Sequence, residues 1–307
     1  MHGRLRVLEL FCGIGGAAVA LGDDADVVNA MDINRNALRV YAANCAGACE
    51  ARTIESVSTA ELAACDADLW WLSPPCQPHT QRGHRNDVDD VRSEPLRAVL
   101  RQIREIQPRF VALENVPNFQ HSRAYDELHE TLAACGYSTD EVQLCPTQLG
   151  IPNRRRRFYL TASRGGPIQI PAIERRARRF SIRSRLSRVV ESEWMVAKDV
   201  LERYRRALHI VDPEDASATC NCFTSGYGRS IVRSGSYLQV RSGVRRFSPR
   251  EILRLLGFPE SFRMPAALTV KQQWPLVGNS VSIPAVRWVL SPILAAHDAS
   301  ETTGVKR

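Results

Sequence analysis

The 307-residue sequence contains no run approaching ~18 consecutive apolar residues, so no membrane-spanning helix is expected. Its opening, MHGRLRVLELF, lacks an apolar stretch followed by a small-residue cleavage site, so no secretory leader is expected either. Also missing is a paired cysteine framework. The nine cysteines are odd in number and scattered, which fits reduced thiols in a cytoplasmic protein better than disulfides. There is no internal repeat and no low-complexity tail. One segment is almost devoid of acids: Asn153 to Arg188 holds twelve arginines and Glu174 alone, +11 in 36 residues of a chain whose total is +8. A merely solvated surface mixes signs and uses lysine, whereas guanidinium binds phosphate in bidentate fashion and stacks on bases. A polyanionic partner, nucleic acid first, is implied. No membrane and no protein partner is.

With 44% apolar and 24% charged residues, the composition is that of an ordinary globular chain. Short apolar runs (RVLELF, DVVNAMD, ADLWWLS, RFVALEN) alternate with stretches of helical periodicity (NRNALRVYAANC, SEPLRAVLRQIREI) through the first ~165 residues. This alternation predicts βαβ units and a parallel sheet covered on both faces. Beyond Ser163 come the arginine segment, a helix around Ala197 to His209, and a Gly/Ser-rich stretch from Ser225 to Gly243. SPREILRLLGFP follows as a capped helix ended by Gly257 and Pro259, and VGNSVSIPAVRWVLSPIL as a last apolar helix. The expected fold is α/β, with a Rossmann-like cofactor and catalytic domain at 1–165 plus 273–307. A smaller substrate-recognition domain, 166–272, is inserted between the two parts.

Four stretches carry chemistry. In Leu8 to Gly16 a strand runs into a glycine turn, where backbone amides can approach a nucleotide-like ligand; Asp32, ending the next strand, is placed to bind ribose hydroxyls. Ala18 replaces the third glycine of GxGxxG and no P-loop lysine follows, so an adenosine cofactor is supported and a dinucleotide is not singled out. Ser73-Pro74-Pro75-Cys76-Gln77-Pro78 places a thiol in a loop stiffened by three prolines beyond a strand's carboxyl end. Few such thiols are ionised near neutrality, so Cys76 needs activation, which arginines can supply. Phe110 to Pro117 ends a third strand in Glu114, a candidate acid. Finally, Arg154 to Arg157 lead into the strand Phe158-Tyr159-Leu160, and alternation along an extended chain would put Arg155 and Arg157 on one face. Zinc at Cys220 and Cys222 has only a C-x-C spacing with no second pair, so no metal is expected.

Taken together and in this order, ELFCGIGG, SPPCQP, LENV, NRRRRFYL, SPREILRLLGFP and VGNSVSIPAV resemble the motifs of the cytosine-5 methyltransferase family. The Cys222-Phe223-Thr224 stretch, PPCQPHTQRG and TIES are similar to that family's tRNA-methylating branch. The resemblance implies S-adenosyl-L-methionine as cofactor, with S-adenosyl-L-homocysteine as product. It assigns Phe11, Gly13, Ile14, Gly15, Gly16, Asp32, Ile54, Glu55, Ser73, Asn279 and Ser280 to the cofactor. Cys76 is implied as nucleophile and Glu114 as the group contacting cytosine, with Arg155 and Arg157 orienting the base and favouring the thiolate. Pro75, Gln77, Asn115, Cys222, Phe223 and Thr224 are implied at the substrate, a tRNA cytosine at position 38 of the anticodon loop. Two departures stand out: His79 where many members have Phe, and the extra charge of Arg154 and Arg156.

Two rival readings share the scaffold. A DNA methyltransferase of a restriction-modification system needs a reader of base edges in the major groove, and the 80 residues between Ser163 and Val244 leave little room for one. A catalytically silent nucleic-acid-binding relative has no need for Cys76, Glu114, Arg155 and Arg157 together.

Overall fold

The computed structural model describes residues 3–75, 94–174, 177, 179–187 and 194–303. Strands β1 (Leu5–Leu10), β2 (Ala25–Asp32), β3 (Cys49–Ala51), β4 (Leu69–Leu72), β5 (Phe110–Asn115) and β6 (Ser138–Leu144) are followed by the two-residue β7 (Asn153–Arg154) and by β8 (Arg157–Ser163). All but β7 form one seven-stranded sheet in the order β3-β2-β1-β4-β5-β8-β6. The strands from β3 to β5 in that order are parallel, and β8 runs antiparallel to both β5 and β6. The expected α/β fold is therefore observed, with one reversed strand near an edge. All residues of β4 and β5 are buried, as a sheet covered on both faces requires, so Trp70 and Trp71 point to opposite faces and both vanish from solvent.

Helices α1 (Gly16–Leu21), α2 (Arg35–Ala42), α3 (Thr59–Ala64), α4 (Glu94–Ile106) and α5 (Arg123–Ala134) connect these strands. Their starts are written locally. Asn34 accepts from the N–H groups of Asn36 and Ala37, and Ser58 with Glu61 closes a reciprocal capping box. The first three strands step outward on one side of β1 and the next two on the other. The switch point lies between β1 and β4, where an open α/β sheet leaves a crevice at its carboxyl edge.

The chain divides into two units: Met1–Leu144 with Arg156–Ala172 and Val286–Arg307, and Cys145–Arg155 with Ile173–Ala285. The second unit pairs β7 with β10 (Cys220–Asn221), with β9 (His209–Val211) preceding β10. Strands β11 (Ser236–Val240) and β12 (Gly243–Arg246) join β9 in a three-stranded sheet. Its core is aromatic: Phe223, Tyr227, Tyr237, Phe247 and Trp274 pack with ring centroids 5.1 to 5.9 Å apart. The Gly/Ser-rich stretch thus contains a strand and two of these five rings. Tyr227 fastens it, donating to the Ser236 carbonyl and accepting from the Phe247 N–H, both at 2.8 Å.

Two expected helices are altered. The one expected from Ala197 to His209 is only α6 (Lys198–Tyr204), because a short 3-10 turn (Arg205–Ala207) delivers the chain to β9. After α7 (Pro249–Leu256), the last apolar run splits into α8 (Val270–Asn279) and α9 (Ile283–Thr303). Ser280 is extended there, and Pro284 cannot donate a continuing helical hydrogen bond. By contrast, α7 begins and ends as its sequence predicts, on the Ser248–Glu251 capping box and on Gly257 at φ 90°.

Glu251 also receives Arg245 through two bonds, Nη1 to Oε2 at 2.8 Å and Nη2 to Oε1 at 2.7 Å, with side chains 0% and 1% exposed. The Ser187 N–H completes its shell. Removing one member of such a pair strands a buried charge. Arg245→Met alone is expected to lower unfolding stability by about 3–5 kcal/mol, and the double variant Arg245→Met/Glu251→Leu by clearly less. Urea denaturation of the three proteins checks this ordering.

Candidate active site

From Leu10 the chain leaves the sheet through a turn in which Phe11, Gly13 and Gly15 adopt left-handed φ values of 59°, 54° and 86°. At Phe11 this is a strained conformation for a side-chain-bearing residue, held because its ring packs on the core of the first unit. Gly15 has no substitute. A Cβ there would lie 2.6 Å from the Cys45 Sγ and 3.0 Å from the Tyr41 ring. At Gly13 a Cβ would meet nothing within 4 Å, so the loop offers an open ledge. Asp32 ties this ledge to the next turn: Oδ2 accepts from the Gly13 N–H at 2.9 Å and Oδ1 from the Asn34 N–H at 2.7 Å. Ile14 is buried, Gly16 opens α1, Ile54 is buried in a 3-10 turn after β3, and Glu55 beside it is exposed.

The next residue, Ile33, is 70% exposed, the sole exposed large apolar side chain among the described residues. Sequence reading passes over it, although its signal is plain: an isoleucine between Asp32 and the helix cap Asn34 has no core to enter. Glu9 was likewise overlooked. It is the penultimate residue of β1, 1% exposed, accepting from the Tyr41 hydroxyl at 3.2 Å and from the backbone N–H groups of Ala17 and Ala18 at the start of α1. An acid inside the apolar run LELF was the available sign. Cys12 and Cys45, nearby, have thiols pushed far up by burial, so they are packing residues rather than nucleophiles. The eight cysteines among the described residues are all free, and no cluster there could hold a metal. No helix there is long and apolar enough to cross a membrane.

On the other side of the switch point, β4 runs into Ser73–Pro75. The Ser73 N–H extends the ladder to the Leu10 carbonyl at 3.3 Å, and its hydroxyl is buried with no partner among the described residues. Pro75 is exposed; Cys76, Gln77 and His79 lie outside the described residues. Asn115, at the end of β5, is buried and grips this loop: Nδ2 donates to the Pro74 carbonyl at 3.4 Å while Oδ1 accepts from the Val116 N–H. Beside it, Glu114 Oε1 meets Arg157 Nε at 3.1 Å, with side chains 11% and 15% exposed. Because β8 is antiparallel to β5, its first residue lies at the carboxyl edge, which brings Arg157 to Glu114.

Arg155 and Arg157 do not alternate along one strand, because β7 ends at Arg154 and β8 starts at Arg157. Arg155 instead belongs to the second unit. It is buried, and its guanidinium bonds Cys222 Sγ and the carbonyls of Phe223, Gly278 and Ser280. There Phe223 is part of the aromatic core, and the Thr224 N–H is bonded to the Ser234 carbonyl. Asn279 is exposed, and Ser280 is buried with its hydroxyl lacking a partner among the described residues.

The first unit thus gathers at one sheet edge the glycine ledge with Asp32, the base of a proline-stiffened loop, and a carboxyl aligned by a guanidinium. For a nucleoside-bearing cofactor the fit rests on the open space over Gly13, exposed Ile33 beside Asp32, and the orphaned Ser73 hydroxyl.

Burial pushes the Glu9 carboxyl from 4.5 up to about 8, against the opposing hydrogen bonds from Tyr41, Ala17 and Ala18. The folded chain therefore keeps a proton that the unfolded chain releases. This stabilisation is complete below pH 4.5 and is lost as pH rises through about 8. Thermal unfolding from pH 5 to 8.5 is expected to show a downward component, at most about 1.4 kcal/mol per pH unit, that Glu9→Gln lacks. Parallel profiles for the two proteins contradict this.

Residues 5–295 match the family described as C-5 cytosine-specific DNA methylase. Over 95% of its length the chain is 33% identical to the tRNA (cytosine(38)-C(5))-methyltransferase of Schizosaccharomyces pombe, covering 97% of that protein. It is 31% identical to the human protein of the same name, over 92% of this chain and 97% of the other. The crystal structure of S. pombe Dnmt2 methyltransferase superposes with a TM-score of 0.85 at 34% identity, across 95% of this chain and 99% of that one. The match spans most of the chain and its motifs stand in the family's order: the chain belongs to the C-5 cytosine-specific DNA methylase family.

Proposed function

We propose that this protein methylates carbon 5 of a tRNA cytosine, position 38 of the anticodon loop, and acts in the cytoplasm. The observation that carries the reading is the convergence at one sheet edge of Gly13–Asp32, Ser73–Pro75 and Glu114–Arg157. The choice of RNA is supported by the names of the relatives, and a nucleic-acid substrate by charge. The second unit carries 22 basic and 10 acidic residues, net +12, while the rest of the chain carries 19 and 23, net −4. A polyanion is drawn to the second unit, which we read as the substrate-recognition domain.

Bound S-adenosyl-L-methionine supplies an electrophilic methyl group. We assign it Phe11, Gly13, Ile14, Gly15, Gly16, Asp32, Ile54, Glu55, Ser73, Asn279 and Ser280, and add Ile33, whose exposed side chain suits the flat face of a base. Cytosine C5 is a weak nucleophile, so Cys76 adds through its thiolate to C6 and turns the ring into an enamine reactive at C5. Glu114, its Oε1 held by Arg157, carries the proton donated to N3 and stabilises charge on the ring. C5 takes the methyl group, S-adenosyl-L-homocysteine is left behind, and loss of the C5 proton then expels Cys76 and restores the ring. Pro75, Gln77 and Asn115 shape the loop at the base, with Asn115 acting through the Pro74 carbonyl. A cytosine in a loop reaches such a pocket without the few kcal/mol that unstacking from a duplex costs.

Replacing C5–H by C5–F blocks the last step, so tRNA carrying 5-fluorocytosine is expected to give a cofactor-dependent covalent band on a denaturing gel. Cys76→Ala abolishes it, and a Cys76→Ala protein that still methylates tRNA overturns the scheme. Glu114→Gln is expected to lower kcat by about 10²–10³-fold while the KM for cofactor holds. Labelled methyl entering duplex DNA in preference to tRNA favours the DNA-modifying alternative.

A further inference from the structure

Arg155 is 4% exposed, and its guanidinium joins two stretches far apart in sequence. Nη1 donates to the Phe223 carbonyl at 3.0 Å, the Gly278 carbonyl at 3.2 Å and Cys222 Sγ at 3.3 Å. Nη2 donates to the Gly278 carbonyl at 3.2 Å and to the Ser280 carbonyl. One set of acceptors lies in Cys222–Thr224, the other in Gly278–Ser280, the frayed end of α8 whose last carbonyls have no partner within the helix. The two stretches also touch directly. A Cβ at Gly278 would sit 2.2 Å from the Thr224 carbonyl oxygen and 2.7 Å from the Ser225 nitrogen.

These acceptors need donors fanned out in one plane, which guanidinium has and ammonium lacks. Moving either stretch alone breaks bonds to a buried cation, at a cost that water does not offset. The stretches therefore shift together or not at all.

We propose that Arg155 is a positioning residue that couples cofactor and RNA: the Cys222–Thr224 and Gly278–Ser280 stretches form one seam, so occupancy at one sets the geometry of the other. This rests on the assignment above of Asn279–Ser280 to the cofactor and Cys222–Thr224 to the substrate. It divides the paired-arginine motif, with Arg157 acting on Glu114 and Arg155 acting through backbone.

Coupling between two ligands is reciprocal, which gives a test that a merely structural role does not meet. The dissociation constant of tRNA is measured with and without saturating S-adenosyl-L-homocysteine, and that of S-adenosyl-L-homocysteine with and without tRNA. Wild-type protein is expected to show the same factor in both directions, at least about fivefold. Arg155→Lys brings both factors toward one. So does Gly278→Ala, which keeps the guanidinium but wedges the seam apart and decides the matter if Arg155→Lys does not fold. Arg157→Ala lowers turnover yet retains the factor. A wild-type factor of one, or a full factor in folded Arg155→Lys or Gly278→Ala, overturns the proposal. If wild-type protein binds duplex DNA and not tRNA, the substrate reading fails instead, and the same cycle run with DNA still judges the coupling.

Discussion

The carboxylate of Asp32 accepts one hydrogen bond from the glycine loop and one from the turn into α2, and the carboxyl edge of the sheet at β1 and β2 is built around that double grip. At the switch point β1 has to deliver its chain upward and immediately back, which requires three left-handed residues in five, one of them a phenylalanine. Such a turn is not stable on its own. Asp32 holds it from above, buried Glu9 holds the start of α1 from below, and Tyr41 fills the space that a side chain at Gly15 would need. The ledge over Gly13 stays open because its neighbours are committed elsewhere.

The same logic orders the opposite bank. Asn115 commits its amide to the Pro74 carbonyl, fixing Ser73–Pro75 relative to β5, and the reversed strand β8 brings Arg157 to Glu114. A parallel strand in that position would start at the other edge of the sheet. The one departure from an all-parallel order on this side of the switch point is thus the feature that gives the carboxyl its partner.

Much of this was legible in the sequence because it is local. Apolar runs mark β1, β2, β4 and β5, helical periodicity marks α2 and α4, and a cap with a terminal glycine marks α7. Motif order marked the loops at their ends. What escaped was set by distant chain. Strand alternation put Arg155 beside Arg157, but alternation holds only within a strand, and the chain leaves β7 two residues before β8 begins. The partners of Arg155 lie 67 to 125 residues away, where no periodicity can report them. The Gly/Ser-rich stretch has little apolar periodicity, yet its Tyr227 packs on Phe223 and Trp274 from outside the stretch and on its own Tyr237.

The two units differ in charge sign, and the difference suits their proposed tasks. The basic one meets a polyanion through arginines, whose fork geometry grips phosphate without reading sequence, so the choice of nucleotide falls to the pocket at the sheet edge. The most direct measurement is bisulfite sequencing of total tRNA after incubation with the protein and S-adenosyl-L-methionine. Expected is protection of one cytosine, at position 38 of the anticodon loop, in a subset of tRNAs. Complete conversion of every tRNA cytosine, with protected cytosines appearing in duplex DNA treated alongside, would contradict the account.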